Sequence, residues 1–254
     1  MPWSLFASVA VEATDHGRTV SAFGLVALGL LAQALGMWVL VRPYGQREPP
    51  AAVRERPGPT GGPVVAGSPN LPELRLPIDG VGVPADPNLL PGARRDYRGG
   101  VHEGVDFNCA PGSPVHAALG GTVLWVNAEP DIPPAVRSRL LDRCRQLERT
   151  PSEVLNALHG KRVVIYAVLS GGQLLTTSYS HLGSLRGDIV PGQFVRAGEV
   201  IAWTGSTGTS HAARRGAWSE LHFEVKLDGV RLGEGLTPRE AGALYARLFK
   251  DRTR

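Results

Sequence analysis

The stretch that decides the fold runs from residue 219 to residue 225 and reads SELHFEV. In an extended chain, side chains at alternate positions point to the same face. One face of this stretch is apolar, which predicts a β-strand packed on a core, and it consists of Leu221, Phe223 and Val225. On the other face, His222 lies between Glu220 and Glu224. This imidazole is either part of an ordinary solvated strand face or one ligand of a metal ion whose other ligands lie elsewhere in the chain.

Further strand-like runs lie on the N-terminal side of this stretch. They are rich in β-branched and aromatic residues, are bounded by glycine, and read GTVLWV (121–126), RVVIYAVL (162–169), QLLTTSYSHL (173–182) and FVRAGEVIAWTG (194–205). Gly171-Gly172 separates two of these runs, and Asp228-Gly229 follows the opening stretch. Both dipeptides are typical of two-residue hairpins. The sequence therefore predicts a mainly β fold, an antiparallel sheet or β-sandwich, over residues 76–236.

Two segments depart from the β pattern and predict helices. Residues 130–159 carry apolar side chains at helical spacing, and Thr150-Pro151 within them predicts the start of a second short helix. We interpret this segment as a helical insertion between two strands. The C-terminal segment, 237–254, contains TPREAGALYARLFK, in which Thr237 suits the N-cap of a last helix.

The N-terminal part of the chain has a different composition. Residues 20–41 contain no charged residue. A helix of this length would extend about 33 Å, enough to cross the hydrocarbon core of a bilayer. The pattern predicts a transmembrane helix that serves as a single retained anchor. It follows an N-terminal segment, 1–19, and precedes a Pro/Gly-rich linker, 42–75.

Charge and cysteine content exclude some classes of protein. Lys and Arg number 27 against 23 Asp and Glu, which gives a net charge of +4. The basic residues are interleaved with acidic ones and form no stripe that would follow a phosphate backbone, so we predict no nucleic-acid binding. The spacing of Cys109 and Cys144 excludes a CxxC motif. They are equally compatible with one disulfide in an exported domain and with two buried thiols.

A candidate pair of metal ligands lies in the segment VHEGVDF, residues 101–107. His102 and Asp106 are four positions apart, which is about 13 Å in a regular strand. They can reach one ion only if the backbone turns between them, and Gly104 permits such a turn. The pair is a weak signal by itself, since His and Asp often occur at this spacing on a polar surface.

The order of the segments along the chain is much more specific than any one of them. VHEGVDF is followed by APGSPVHAALGGTVLWV (110–126), YSHL (179–182), GEVIAWTGSTG (198–208) and ELHFEV (220–225). In this order they resemble the motifs of the lysostaphin/LytM-type zinc metallopeptidases, endopeptidases of bacterial cell walls. The resemblance covers roughly residues 76–235 and implies a LytM-type peptidase domain.

Carried over residue by residue, the resemblance implies a Zn²⁺ site in this chain. His102, Asp106 and His222 would be the three zinc ligands, and the fourth position would stay open, as in catalytic zinc sites. His181, from YSHL, would stabilise the oxyanion or carry a proton.

The chain departs from the family motif at Glu220, which replaces the first histidine of the HxH motif. That histidine is not a zinc ligand but the group expected to transfer protons beside the metal. A carboxylate can also accept a proton there, as the Glu of HExxH metallopeptidases does. His211, in a loop longer than that of the family, could supply the missing imidazole, although an exposed loop histidine is the simpler interpretation. We interpret His116 and His159 as structural.

Two further residues near these motifs receive ordinary interpretations. Asp188 is assigned to a turn and Glu224 to a solvated strand face.

These features predict a membrane-anchored zinc metalloendopeptidase that hydrolyses peptide cross-links between peptidoglycan stem peptides. The alternative is a catalytically impaired LytM-type module that binds the wall or regulates other wall hydrolases through a protein partner. A lipoyl-type carrier domain is a third hypothesis. It would need a modifiable lysine at a hairpin tip, and neither predicted two-residue turn offers one.

The predicted function and the charges around the predicted anchor give opposite orientations. A wall peptidase requires a single-pass protein of the bacterial inner membrane with its domain in the periplasm or extracytoplasmic space. Arg42 and Arg47 follow the anchor, and only Arg18 closely precedes it. Because Lys and Arg are enriched on the cytoplasmic side, this distribution would place the domain in the cytoplasm. Both orientations stay open.

Overall fold

Antiparallel strands make up most of the fold in the computed structural model, which describes residues 71–129, 131–212 and 218–249. In chain order the strands are β1 (Arg94–Arg95), β2 (Gly100–Val101), β3 (Val105–Asn108), β4 (Pro114–His116), β5 (Gly121–Asn127), β6 (Arg162–Val168), β7 (Leu174–Ser180), β8 (Leu182–Leu185), β9 (Phe194–Val195), β10 (Val200–Thr204), β11 (Glu220–Leu227) and β12 (Val230–Arg231). The helices are α1 (Pro134–Leu147), α2 (Ser152–Leu158) and α3 (Pro238–Leu248), with short 3-10 turns at Pro87–Leu89 and Asp96–Arg98. A mainly antiparallel β fold with a helical insertion and a C-terminal helix is therefore confirmed.

The predicted N-terminal segment, transmembrane anchor and nearly all of the linker lie outside the described residues. Within the three described ranges, no helix is both long enough and apolar enough to cross a membrane.

The main sheet has the strand order β12-β11-β7-β6-β5-β9, and β3 also pairs with β11. The hairpin between β6 and β7 turns over Ser170, Gly171 and Gly172, one residue more than the predicted two-residue turn, and Leu169 N–H donates to Gln173 O at its base. The turn at Asp228-Gly229 joins β11 to β12, and both of its residues have positive φ, 52° and 86°. These angles are typical of the type I′ hairpin that the Asp-Gly pair favours. A second sheet has the order β4-β10-β8, and β1 pairs with β2 separately.

Strand β11 lies at the centre of the site-bearing part of the fold. Residues 220–223 pair with β3, whereas residues 222–227 pair with β7. Its predicted apolar residues are all buried and pack in one core with Phe107 and Tyr179; they are Leu221, Phe223 and Val225. The periodicity of SELHFEV thus predicts correctly which face of this strand meets the core.

The opposite face of β11 is buried as well, and this corrects the interpretation of Glu224 as a solvated residue. Glu224 is only 1% exposed. Arg162, at the start of β6, places its Nη2 2.9 Å from Glu224 Oε1, and the Nε2 atom of His159 lies 3.7 Å from the same oxygen. The alternation pattern could not reveal this, because the covering side chains come from a segment 60 residues away in the chain.

Helices α1 and α2 form the predicted insertion between β5 and β6. Both follow a proline, and α1 buries one side, as the helical spacing predicts; the buried residues of α1 are Val136, Leu140, Leu141 and Cys144. Helix α3 begins with the predicted cap, because Thr237 Oγ1 accepts from the backbone N–H of Glu240 and the Glu240 carboxylate accepts in return from the backbone N–H of Thr237. Cys109 and Cys144 are free thiols, so the structure contains no disulfide between them.

Candidate metal centre

The register of β3 against β11 brings two of the predicted ligands together. Asp106 lies directly opposite His222 in this antiparallel pair. Opposite residues of an antiparallel pair project to the same face, and the Nδ1 atom of His222 lies 2.8 Å from Asp106 Oδ1. The strand pairing alone therefore places a carboxylate and an imidazole side by side, although they are 116 residues apart in the chain.

A turn at Gly104 brings in the third predicted ligand. The backbone crosses so close to β11 that a Cβ on Gly104 would lie 2.3 Å from the carbonyl oxygen of Phe223. Only glycine permits this approach. Just before the turn, His102 N–H donates to Ala93 O at 2.7 Å and fixes the backbone of His102. His102 and Asp106 therefore face the same point despite their spacing along the chain.

The three donor atoms are separated by distances close to those of a common coordination sphere. His102 Nε2 lies 3.0 Å from His222 Nδ1 and 3.0 Å from Asp106 Oδ1. Two ligand atoms of a tetrahedral zinc ion are about 3.3 Å apart, so shifts of a few tenths of an ångström would suffice. All three side chains are buried. Among the described residues, this set is one of two groups of His and acidic side chains that could hold a metal ion.

The partners of each imidazole favour the tautomer that a metal ion needs. His102 Nδ1 contacts Leu90 O at 3.1 Å, and since a carbonyl can only accept, Nδ1 carries the proton and Nε2 keeps its lone pair. His222 Nε2 has no hydrogen-bond partner, and the Glu224 carboxylate, whose Oε1 lies 3.5 Å away, favours a proton on that nitrogen. Two lone pairs and the Asp106 carboxylate then converge on one point. Such a set of acceptors requires a cation between them, and the residues present therefore fit Zn²⁺.

The electrostatics of the site agree with this interpretation. Burial by itself would lower the pKa of His222, but the hydrogen bond to Asp106 and the charges of Asp106 and Glu224 raise it to about 9. Burial likewise opposes the charge of Asp106, yet His102 and His222 hold its pKa far below the usual range of a carboxyl group. The cluster thus attracts positive charge, whether as a proton or as a metal ion.

His181 and Glu220 lie beside the three ligands. His181 has a left-handed φ of 62°, its N–H donates to His159 O, and its Nδ1 donates to Thr207 O at 2.8 Å. This leaves Nε2 directed to the cleft, 3.6 Å from Glu220 Oε1. Burial and the neighbouring His222 lower the pKa of His181 to about 4, whereas burial and the charge of Asp106 raise that of Glu220 to about 8.

His159, which we interpreted as structural, lies in the site. Its ring stacks on that of His222, with centroids 5.0 Å apart and planes at 24°. Nδ1 accepts from Arg162 Nη1 at 2.9 Å, so the proton of His159 is on Nε2. With Glu103 and His222 it forms the second possible metal-binding group. Arg98 already pairs with Glu103 at 2.6 Å, so that this carboxylate is neutralised by a guanidinium.

Arg95 also lies at the site, although no motif pointed to it. It belongs to strand β1, and its Nη2 donates to Asp106 Oδ2 at 3.3 Å, the oxygen that faces away from the two imidazoles. Its side chain is only 13% exposed. In the sequence, the only trace of this role is a basic pair, Arg94-Arg95, shortly before VHEGVDF.

The two other histidines of the described residues, His211 and His116, are not part of the metal-binding group. His211 lies in the loop at the rim, where its ring centroid is 4.6 Å from that of Trp218, and both residues line the cleft. His116 Nδ1 donates to Gly198 O and its Nε2 pairs with Asp79 at 3.2 Å, which is a structural role as predicted.

Asp188 is exposed and bonded to Arg186, as a turn residue would be.

An open cleft leads to this group of residues. The predicted ligands, with His181 and Glu220, form its floor. The helical insertion contributes one wall, through Arg137, Leu141, Leu155 and Leu158. Residues 208–211 and Trp218 contribute another part of the lining, and Arg95 and Tyr97 a third. The metal ligands can thus be approached by an extended molecule.

Comparison with known proteins shows which family this chain is similar to. Residues 151–233 match the model of Peptidase family M23. The matched segment contains His181, Glu220 and His222. It covers the C-terminal part of the region in which the motifs resemble the family, and His102 lies on the N-terminal side of it. The similarity of the chain to lysostaphin/LytM-type peptidases of family M23 is confirmed. No curated protein gives a significant match to the chain.

Several solved structures are similar to this chain. Csd3 of Helicobacter pylori is 22% identical over 63% of this chain and 32% of its own, with a TM-score of 0.40. The catalytic domain of lysostaphin, an antimicrobial peptidase of Staphylococcus simulans, is 22% identical over 55% of this chain and 77% of its own, with a TM-score of 0.35. A zinc-containing peptidase of Vibrio cholerae is 23% identical over 64% of this chain and 38% of its own, with a TM-score of 0.36. The chain thus spans about a third of the length of Csd3.

Proposed function

We propose that the domain is a zinc metalloendopeptidase that hydrolyses peptide cross-links between peptidoglycan stem peptides. The observation that carries the proposal is the convergence of three buried donor atoms, from His102, Asp106 and His222, at the floor of an open cleft. The match to a peptidase family supports the reaction class. The substrate class comes from the resemblance of the motifs to those of wall endopeptidases.

Zinc bound by these three residues would polarise a peptide carbonyl and activate water. Glu220 would accept the proton of the attacking water, because its carboxyl lies on the same strand face as His222, two residues away. In the metal-free site, burial and then the charge of Asp106 raise the pKa of this carboxyl to about 8. A bound cation would oppose that shift and favour the carboxylate, which is the form that accepts a proton. The same group would return the proton to the leaving amine.

His181 would act as the second proton-transfer group. Thr207 O holds its Nδ1 proton, so that Nε2 points to the cleft and to Glu220. At 3.6 Å the two side chains are close enough to exchange a proton with a small movement or through one water molecule. Because burial and His222 lower the pKa of His181 to about 4, Nε2 is unprotonated near neutral pH and would accept a hydrogen bond from the attacking water or from protonated Glu220.

The alternative is a module that binds the wall or regulates other wall hydrolases without cutting peptides. Glu220 favours this alternative, because the family motif has an imidazole at its position. A regulator would need a protein partner and would have no use for a metal-activated water. The two functions therefore differ in whether zinc-loaded protein releases peptides.

The test is incubation of purified peptidoglycan with the zinc-loaded 254-residue chain, followed by mass spectrometry of the released peptides. We expect release by the wild type and none by His102→Ala, which removes a ligand. Equal release by the two would exclude the metallopeptidase. No release by a wild-type chain that binds one zinc ion would favour the regulatory alternative, which pull-down of wall hydrolases would then test.

We also propose that residues 20–41 anchor the domain on the outer side of the bacterial inner membrane. The absence of charge in that stretch supports the anchor, and the location of peptidoglycan supports the orientation. Labelling of Cys109 in intact spheroplasts by a membrane-impermeant maleimide, with and without detergent, tests it. Labelling only after lysis would place the domain in the cytoplasm, as the arginines that follow the stretch suggest.

A further inference from the structure

Two guanidinium groups from different parts of the fold line the cleft beside the metal ligands. Arg95 is on strand β1, and Arg137 is on helix α1 of the insertion. The third arginine of the cleft lining, Arg98, is buried and already bonded to Glu103 at 2.6 Å. Arg95 and Arg137 are therefore the two guanidinium groups of the cleft lining with donors for a ligand.

Arg137 is a cation without an ion-pair partner among the described residues. Its Nε donates to Gly208 O at 3.1 Å, which fixes the guanidinium and leaves both terminal nitrogens for other contacts. The carboxylate of Asp131 attracts this charge but forms no ion pair with it, and it accepts instead from the backbone N–H groups of Gly208 and Ile132. Partial burial of an unpaired charge is unfavourable, and burial is the main cause of the lowered pKa of Arg137.

Arg95 belongs to a different element of the cleft lining, and its contact with Asp106 occupies only some of its N–H donors. Its single described contact with an acid is the 3.3 Å bond from Nη2 to Asp106 Oδ2. A guanidinium has five N–H donors, so this bond leaves donors for a second acceptor. If zinc is bound, it takes up the charge of Asp106, and Arg95 then adds to the positive potential of the cleft.

We infer that Arg137, in the cleft that it lines together with Arg95 and the metal ligands, binds a carboxylate of the peptide substrate. The inference rests on the proposed function and adds a substrate feature to it. A planar guanidinium group suits a carboxylate, which it can bind through paired N–H···O bonds, and Arg95 adds positive charge to the same cleft lining. The helical insertion, which carries Arg137, would thus serve as the element that selects acidic peptides.

The test measures binding and cleavage separately on the zinc-loaded 254-residue chain. The probes are a synthetic stem peptide with free carboxylates and the same peptide with every carboxylate converted to a carboxamide, titrated by calorimetry. Cleavage is measured as release of peptides from two preparations of peptidoglycan, one with free carboxylates and one with amidated carboxylates. The variants are Arg137→Gln, which removes the charge, Arg137→Lys, which keeps it, and Arg139→Gln, which changes an exposed arginine of the same helix. Arg95 is left intact because it contacts a metal ligand.

We expect the wild type to bind the carboxylate peptide at least about tenfold more tightly than its amide, the factor that one charge-assisted hydrogen bond supports. Arg137→Gln should lose most of this preference, Arg137→Lys should retain part of it, and Arg139→Gln all of it. Zinc content of each variant shows whether the metal centre is intact.

Three outcomes would overturn the inference: no binding of either peptide, equal affinity of the wild type for both, or full preference in Arg137→Gln. Cleavage of peptidoglycan with equal affinities would leave the proposed peptidase standing without this site. A preference for carboxylate without any cleavage would support the carboxylate site and contradict the proposed peptidase activity.

Discussion

At the scale of single residues, Glu220 is the position where this chain differs most from the motif that it resembles. The carboxyl occupies the place of an imidazole but keeps the contact that matters for proton transfer, 3.6 Å from His181. Its raised pKa, about 8, is caused first by burial and then by the charge of Asp106. These causes act in the metal-free site, and a bound zinc ion would oppose them because it neutralises Asp106 and favours a charged carboxylate beside it.

Glu220→Gln should therefore abolish most of the activity while leaving the metal in place. We expect peptide release to fall by at least about 100-fold, the lower range for loss of a general base. Zinc content by mass spectrometry should be unchanged, because Glu220 is not among the three converging donors. Glu220→His, which restores the family motif, should retain activity. Unaltered release by Glu220→Gln would show that another group accepts the proton.

Glu224 is a second residue whose role follows from a contact rather than from a motif. Its carboxylate lies 3.5 Å from His222 Nε2, and its main partner is Arg162 at 2.9 Å. A carboxylate behind a metal-ligating histidine fixes the tautomer and the ring orientation. Arg162 in turn also bonds Nδ1 of His159, whose ring stacks on His222. These side chains together hold His222 in the position to bind a metal ion.

Glu224→Gln should weaken zinc binding by roughly 10–100-fold, as is typical for partners of ligating histidines. Competition with a chromophoric chelator measures the affinity, and circular dichroism shows that the variant is folded. Glu234→Gln is the matched control, since Glu234 is a half-exposed carboxylate paired with Arg231. Equal zinc affinity of the folded Glu224→Gln variant and the control would contradict the role assigned to Glu224.

The sequence could predict the residues of this site that belong to a motif and not those that depend on tertiary contacts. His102, Asp106 and His222 were assigned through a specific order of segments, and the structure brings them together. Nothing in the local sequence around His159 or Arg95 links them to the site. They contact the site because of where the insertion and the β1–β2 pair pack in the folded domain, and hydrophobic periodicity does not predict how elements pack on one another.

At the scale of structural elements, the turn between His102 and Asp106 decides whether the ligands meet. Strand β3 pairs directly with β11, and the chain enters β3 through Gly104, whose backbone lies close to that of Phe223. A methyl group there would meet the carbonyl oxygen of Phe223 at 2.3 Å, far inside van der Waals contact, and that atom belongs to the backbone of the central strand. The strand pair cannot accommodate it without a shift of one of its members.

Gly104→Ala should therefore cost about 1–3 kcal/mol of folding free energy, the usual range for overpacking of a buried site, and should also reduce zinc affinity. Chemical denaturation and chelator competition measure the two effects. Gly82→Ala is the control, since a Cβ on Gly82 meets nothing within 4 Å. Unchanged stability and affinity in Gly104→Ala would mean that the turn can form without glycine.

The elements also show which structural features the periodicity of a sequence can predict. Alternation predicted which face of β11 meets the core, and helical spacing predicted that 130–159 contains two helices. Both patterns describe a single element in relation to the protein interior. They do not reveal which surface an element covers, and so they missed that Glu224 is buried.

At the scale of the whole molecule, the metal centre connects parts of the chain that are far apart. His102 and Asp106 precede the insertion, and His222 follows the second sheet in the chain. In the folded state their donor atoms lie within 4.8 Å of one another. The unfolded chain does not hold them together, because closing a loop of more than 100 residues is entropically costly. Zinc should thus bind the folded state far more tightly than the unfolded state.

Zinc should for this reason stabilise the whole domain, and chelation should reverse the effect. At a zinc concentration 1,000-fold above Kd, linkage gives about 4 kcal/mol, which corresponds to a rise in Tm of roughly 10 °C for a domain of this size. Differential scanning calorimetry with zinc and with a chelator measures the shift. His102→Ala should show almost none, whereas Arg139→Gln, remote from the donors, should show all of it. An equal shift in wild type and His102→Ala would mean that zinc binds elsewhere, and a metal centre built from the three distant segments would then be excluded.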